Sequence, residues 1–367
     1  MNIPALTGIR AIAAGIVFLG HMIESHRHEI PDTLEYGWTG VSMFFALSGY
    51  LFTWRYAGAL LDGSFRWGRY IKRRLVRIYP LTTIIILISV LTQFGRYQWT
   101  DIALHLALLH SWVPSFRFTI NSPMWTLTLE ENYYLLAPFL ITLFTKLQTR
   151  LNKLQPVLFM VVGAWIAMMF VSTTSTTFYI NVLEMLTGIR DNEAWTFTVL
   201  GRVPDFASGM FAAIIARTYM VRGKHGGDLV VLGGVLLYLL CINLIIVHGG
   251  PRIAGHQLLG TLGFRGIAIA SAIIFYGLHA GGYVARFLST STMLRLGECS
   301  FALYLIQFLP VGAIKNIGMF TQRTLEAQGM HFVVAAGISY VLFTILAYGV
   351  YRVIERPISS YLRRFAD

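Results

Sequence analysis

Apolar runs recur along the chain from residue 5 to residue 354, separated by short polar stretches and never by a long polar segment. A helix needs about 20 consecutive apolar residues to cross the hydrocarbon of a bilayer. By that rule about ten spanning helices are predicted, at residues 5–23, 37–56, 80–95, 124–144, 156–172, 197–217, 229–248, 262–279, 296–314 and 332–354. The pattern predicts an all-α, polytopic integral membrane protein, with residues 1–367 forming a single transmembrane domain and no appended soluble domain. The segment "DIALHLALLHSWV" (residues 101–113) is too short to span, and is placed at the outer surface, lying on it or re-entering from it. No internal repeat or low-complexity segment is visible.

Composition supports this picture. Hydrophobic residues make up 56% of the chain and charged residues 13%, too few to cover a soluble surface of this size. The net charge of +12 would suggest nucleic acid in a soluble protein. Here the basic residues sit in short loops between apolar runs, the distribution expected of positive-inside topology and anionic lipid contact, and nucleic acid is excluded as a partner. The stretch after the first span, "ESHRHEIPDTLEYG", leans acidic, and the one after the second, "RYAGALLDGSFRWGRYIKRRLVRIYP", is strongly basic. Alternation then puts "TKLQTRLNKLQP", "RTYMVRGKHGGD", the region of Arg286 and Arg295, and the tail "YRVIERPISSYLRR" on the cytoplasmic side, and "EMLTGIRDNEAW" outside. Both termini are therefore predicted to be cytoplasmic. Cys241 and Cys299 lie in or beside apolar segments; neither a disulfide nor a metal site is expected. The first apolar segment carries Arg10 and has no small-residue cleavage site after it, unlike a cleavable signal.

Four groups of residues carry candidate chemistry. In "LTGIRAIAAGIVFLGH", Arg10 and His21 are eleven residues apart. That is about three helical turns, so both fall on one face, roughly 16 Å apart along the axis. Snorkelling to the two interfaces is one reading; a functional pair inside the membrane is the other. In "NSPMWTLTLEENYYLLAP", Glu130 and Glu131 follow Trp125 and precede Tyr133 and Tyr134. Glu130 and His21 both fall in the outer half, and a carboxylate that orients an imidazole makes a general base able to take a proton from a hydroxyl. In "RWGRYIKRRLVRIYP", six basic residues including Arg73, Arg74 and Arg77 alternate with apolar ones. This is either an interfacial helix on anionic lipid or a site for a polyanionic cofactor such as coenzyme A, whose phosphates suit arginine forks. In "TGVSMFFALSGYLFTWRY", Ser48 and Gly49 interrupt a spanning helix, for close packing or for passage of a thin ligand.

Taken in order, these motifs resemble the membrane-bound acyltransferase-3 family, which acylates sugars and other hydroxylated acceptors. The resemblance rests on Arg10 and His21; on "FFALSGYL"; on Arg73, Arg74, Arg77, Tyr79 and Pro80; on Trp125, Leu127, Glu130, Glu131 and Tyr134; on "RVPDFASGM" with Arg202, Pro204, Phe206 and Gly209; and on Glu355, Arg356 and Pro357. It covers nearly the whole chain. One departure is "SFALYLIQFLP", where Phe301 and Gln307 stand for a tyrosine and a histidine frequent in the family. The catalytic base is accordingly expected at His21 and not at the C-terminal end.

The resemblance implies O-acyl transfer, usually of acetyl, from cytoplasmic acetyl-CoA or another acyl-CoA to an acceptor hydroxyl, in the inner membrane of a bacterial cell. Its expected acceptor is a sugar of a cell-surface polysaccharide or of its lipid-linked precursor. Arg10, Arg73, Arg74 and Arg77 would hold the donor, His21 and Glu130 would be catalytic, and Ser48, Trp125, Glu131, Tyr134 and Gln307 would contact substrate. Two alternatives stand beside it. One is acylation of a small secondary metabolite such as a macrolide. The other is a proton-coupled secondary transporter using Arg10, His21 and Glu130 as a relay, against which stands the lack of internal repeats.

Overall fold

The computed structural model describes residues 3–23, 26, 29, 36–151, 153–221, 225–249 and 258–365. Among these residues there are helices and one isolated bridge, Val311 to Ile314, but no strand. In chain order the helices are α1 (Pro4–Ile23), α2 (Thr39–Leu61), α3 (Trp67–Thr92), α4 (Trp99–Leu106), α5 (Trp125–Arg150), α6 (Leu154–Thr187), α7 (Ala194–Phe197) and α8 (Val199–Thr218). They continue with α9 (Gly226–His248), α10 (Leu258–Ala280), α11 (Tyr283–Leu288), α12 (Ser291–Glu298), α13 (Ser300–Ile306), α14 (Ile317–Ala327), α15 (Phe332–Val350) and α16 (Arg356–Arg363). Parts of the loops 24–37 and 217–228, whose charge was used to orient the chain, lie outside the described residues.

Seven helices among the described residues are long and apolar enough to cross a membrane: α1, α3, α6, α8, α9, α10 and α15 with its continuation to Arg363. Their outward faces carry large apolar side chains, such as Phe159, Phe170, Phe178 and Ile345, that water would not tolerate in such number. The chain is a multi-pass helical membrane protein. The 23-residue α2 and the 26-residue α5 also have spanning length, with more polar sequences.

Three expectations change. The basic segment 66–80 is not a separate interfacial helix. It is the first half of α3, which runs on through Pro80 into the apolar run. Residues 296–314 do not form one span: the helix breaks at Cys299 between α12 and α13, and the chain leaves helical geometry after Gln307. Ser48 and Gly49 do not interrupt α2, which is continuous. Gly49 serves close packing instead, because a Cβ there would overlap the carbonyl of Phe206 on α8. The reciprocal site is Gly209, where a Cβ would overlap the carbonyl of Ala46. Two backbones meet here with nothing between them.

The chain divides into two compact units. The first comprises Met1–Leu6, Val41–Phe65 and Leu129–Ser289; the second comprises Thr7–Gly40, Arg66–Thr128 and Thr290–Asp367. Within the first, α8 is the central helix, with fifteen buried residues, and it packs against α6 and α10. Helix α6 runs 34 residues, about 51 Å at 1.5 Å per residue, beyond the roughly 30 Å of hydrocarbon. It buries only a narrow stripe of Val157, Ser172, Thr176 and Ile180, and ends at Gly188, whose φ of 71° is the left-handed cap that favours glycine. Within the second unit, α15 packs against α13 and α14, and α16 packs against α3.

Proline inside a helix removes the donor that the carbonyl four residues earlier would use. In an apolar surrounding that carbonyl must find another partner. Pro204 on α8 frees the carbonyl of Leu200, and Ser172 Oγ on α6 donates to it at 2.7 Å. Pro80 on α3 frees the carbonyl of Val76, and Ser359 Oγ on α16 donates to it at 3.1 Å. Each proline thus creates a docking point for a neighbouring helix. Ser172→Ala is expected to lower stability by about 1 kcal/mol. In a Pro204→Ala background, where the residue 204 N–H supplies the donor, the same change should be close to neutral. Thermal unfolding in detergent across the four combinations measures this coupling.

Candidate functional site

The second unit contains Arg10, His21, Arg73, Arg74, Arg77, Trp125 and Gln307. Helix α1 is unbroken from Pro4 to Ile23, so Arg10 and His21 do lie on one face, and both are half-buried. Arg10 Nε donates to Ser300 Oγ at 3.3 Å, and Ser300 Oγ donates to the Gly297 carbonyl at 2.8 Å. Arg10 is also one of three cations, with Arg77 and Arg363, that act electrostatically on the buried side of Glu355. This grouping joins α1, α3 and the C-terminal helix, whose winding loosens to a π turn at Tyr351–Glu355. Glu355 was visible in the sequence only as part of a motif; its partners come from distant elements.

Exposure sorts the basic face of α3. Arg66, Arg69 and Lys72 are exposed, as lipid-anchoring residues would be, while Arg73, Arg74 and Arg77 are half-buried. The Arg74 guanidinium lies over the Tyr70 ring at 5.8 Å. Trp125 opens α5 and is buried. Gln307 is buried; its Nε2 donates to the Tyr304 carbonyl at 3.1 Å, and its Oε1 makes no hydrogen bond.

The His21 ring packs edge-on against Phe308, with centroids 4.8 Å apart. Phe308 also lines a cavity of about 590 Å³. That volume is in the range of small-molecule sites, roughly 300–1,000 Å³. Its wall is built from the end of α3, from α4 and the loop after it, and from residues 308–315. Gln93 is fixed at both ends: its Oε1 accepts from Arg96 Nη1 at 3.0 Å and from Tyr97 OH at 2.6 Å, and its Nε2 donates to the Gly312 carbonyl at 3.0 Å. Asp101 Oδ1 accepts from Thr119 Oγ1 at 2.8 Å and lies 2.9 Å from His105 Nδ1.

Behind Asp101 the wall is closed by two stacked imidazoles. Helix α4 is eight residues long, about 12 Å, and cannot span. After it Leu108 adopts a left-handed φ of 53°, which turns the chain back so that His110 stacks on His105 at 3.8 Å. A non-glycine residue in that region is strained, and here the buried Leu108 side chain and the ring stack hold it. The i,i+4 spacing of Asp101 and His105 was the one sign of this arrangement in the sequence; the fold over Leu108 was not readable there.

The first unit contains Ser48, Glu130, Glu131 and Tyr134. Tyr134 OH donates to Glu130 Oε1 across one turn of α5, and the Tyr134 ring packs on Phe52 with centroids 5.1 Å apart. Ser48, Glu130 and Glu131 are half-buried. A further charged cluster in this unit was not anticipated. Arg202 on α8 donates through Nη1 to Asp205 Oδ2 at 2.8 Å and to Ser42 Oγ at 3.0 Å, and through Nε to the Thr196 carbonyl at 3.0 Å. Arg265 on α10 donates to the Gly201 carbonyl and lies 3.9 Å from Asp205 Oδ1. Both guanidinium groups lie over the Phe264 ring, at 4.5 and 5.2 Å. All three charged side chains are buried, and their contacts tie α2, α8 and α10 together, with Arg265 Nε and Asp205 Oδ1 left without a hydrogen bond. The signal for it was the presence of Arg202, Asp205 and Arg265 in apolar runs.

Burial, and then the adjacent His105, push the His110 imidazole down to about 2. The folded chain therefore binds fewer protons than the unfolded chain, whose histidines titrate near 6.5. The stability contributed by His110 is complete above about pH 6.5 and is lost as pH falls toward 2. Between pH 6.5 and 5 the expected loss is about 2 kcal/mol. The thermal midpoint should fall over that interval, and His110→Gln should flatten the dependence.

Residues 3–352 match the family model described as an acyltransferase domain. Among curated proteins the chain is similar to "Acyltransferase MdmB" of Streptomyces mycarofaciens, at 28% identity over 85% of this chain and 79% of that protein. It is similar to "O-acetyltransferase OatA" of Staphylococcus aureus, at 25% identity over 97% of this chain and 57% of that protein, so it spans little more than half the length of that relative. It is also 25% identical to "Peptidoglycan O-acetyltransferase OatA" of Listeria monocytogenes over 55% of this chain and 35% of that one. No solved structure matches it significantly. With the family model running through nearly the whole chain, over the residues that build both units, this protein belongs to the acyltransferase-3 family.

Proposed function

We propose that the chain is an O-acyltransferase that moves an acetyl group from cytoplasmic acetyl-CoA to a hydroxyl of a sugar in a cell-surface polysaccharide or its lipid-linked precursor. The observation that carries this reading is the placement of His21. It stands on the same helix as Arg10, edge-on to a phenylalanine that lines a ligand-sized cavity. Family membership supports the transfer chemistry, and the names of two relatives support an O-linked acetyl group and, for one of them, a peptidoglycan acceptor. The cavity volume suits one or two sugar units, and equally a small secondary metabolite, which is the second reading.

In this proposal the protein is one membrane domain of the bacterial inner membrane. It crosses the bilayer about ten times with both termini cytoplasmic, and residues 101–113 lie on the outer side. Arg10, Arg73, Arg74 and Arg77 hold the donor phosphates, to which arginine forks are suited. The acceptor lies in the cavity beside Phe308, with Trp125 and the unspent Oε1 of Gln307 as further substrate contacts. His21 takes the proton of the acceptor hydroxyl as its oxygen attacks the thioester carbonyl. The ester C–O bond forms, the C–S bond breaks, and the departing thiolate takes up a proton. An acyl-enzyme would divide the same bond changes into two steps.

His21→Ala should lower acetyl transfer from acetyl-CoA by at least about a hundredfold while the protein stays folded and inserted. Full retained activity in that variant, measured as CoA release with acceptor present, would remove His21 from the mechanism. Replacing Arg74 and Arg77 together with alanine should weaken binding of CoA by about tenfold or more, with the wild-type affinity falling as salt is raised. Unchanged, salt-independent CoA affinity would return that face of α3 to lipid anchoring alone.

A further inference from the structure

The cavity of the second unit carries more charge than a site for a neutral sugar requires. Arg96 and Lys315 line it from separate elements, opposed by Asp101, which leaves one positive charge in excess. Asp101 is already engaged by Thr119 and His105, so its charge is turned into the wall. Arg96 is held in place through Nη1 by Gln93, itself fixed by the Gly312 carbonyl, and is otherwise exposed. A guanidinium held on one arm presents the other to a ligand without the usual loss of rotamer freedom. In the proposed topology both cations are on the outer side, where the positive-inside preference gives no reason for them.

We infer that this cavity is an acceptor subsite selective for carbohydrate bearing a carboxylate, with Arg96 and Lys315 as the groups that bind the anion. The one positive charge in excess is balanced by a carboxylate and exceeded by a dianionic phosphate. Phe308 and Phe116 supply apolar faces for the sugar rings, and the Gln93 and Asp101 side chains fix the polar edges of the cavity. The inference rests on the O-acyltransferase reading for its meaning, but binding can be measured apart from transfer.

The test compares hyaluronan tetrasaccharide with tetra-N-acetylchitotetraose, which is built from N-acetylglucosamine units and has no carboxylate. Binding to the purified protein is read by calorimetry in phosphatidylcholine nanodiscs, which carry no anionic headgroups, and acetylation is read separately with acetyl-CoA. The expected result is at least about tenfold tighter binding of the carboxylated glycan, a preference that shrinks as salt is raised. Arg96→Gln with Lys315→Gln should bring the two affinities together, and Arg96→Lys should keep most of the preference. Selective binding without any transfer would sustain the subsite and sink the O-acyltransferase reading. Transfer to both glycans with equal affinities, or a preference that survives the double substitution in a folded protein, would sink the subsite and leave the transfer chemistry standing. Loss of the preference on adding phosphatidylglycerol at constant salt would assign the two cations to lipid headgroups and overturn the inference.

Discussion

Inside a bilayer a polar group without a partner has no water to fall back on, and much of this structure follows from that constraint. It explains why the chain is helical throughout its apolar runs, since a helix satisfies its own backbone. It also explains where helices meet. The carbonyls of Leu200 and Val76, released by Pro204 and Pro80, are each taken up by a serine of another helix. A defect in one helix becomes the address of its neighbour. The buried Arg202, Asp205 and Arg265 follow the same rule in part: the carboxylate, a serine and two backbone carbonyls take up donors of both guanidinium groups, and Phe264 covers the guanidinium faces, while Arg265 Nε and Asp205 Oδ1 make no hydrogen bond.

The candidate site departs from that economy. In the cavity Arg96 and Lys315 outnumber Asp101. Gln307 keeps an acceptor oxygen with no hydrogen bond. Groups left unsatisfied or in excess are costly in a packed interior, and they persist where a ligand supplies the missing half. Both places lie in the second unit, which also carries Arg10 and His21 on one face of one helix. That face passes from the Glu355 grouping at Arg10 to the cavity wall at Phe308.

Much of this was legible one helix at a time. The run from residue 5 to 23 emerged as Pro4–Ile23, so the common face of Arg10 and His21 follows from helical geometry alone. The runs at 197–217, 229–248 and 262–279 likewise became α8, α9 and α10 with ends shifted by a few residues. Where a reading failed, hydropathy could not separate helix from membrane. The basic stretch 66–80 is as helical as the apolar stretch after it, so α3 begins before the lipid would. The apolar stretch 296–314 does not stay helical, because hydropathy records transfer preference and not backbone conformation. At Ser48 and Gly49 small residues read as a break, although glycine in a spanning helix is tolerated where another backbone packs against it.

By itself the sequence determined that this is a multi-pass helical membrane protein with an arginine and a histidine on one face of its first helix. Periodicity, apolar length and the order of short motifs are properties of neighbouring residues, and they survive in a string of letters. Only the tertiary structure decided which distant residues share a place: Glu355 with Arg10 and Arg77, Phe308 with His21, Arg202 with Arg265, and the cavity whose wall runs from Gln93 to Lys315. These pairings are set by helix packing and by a left-handed turn at Leu108, and such contacts depend on the three-dimensional fit of side chains far apart in the chain.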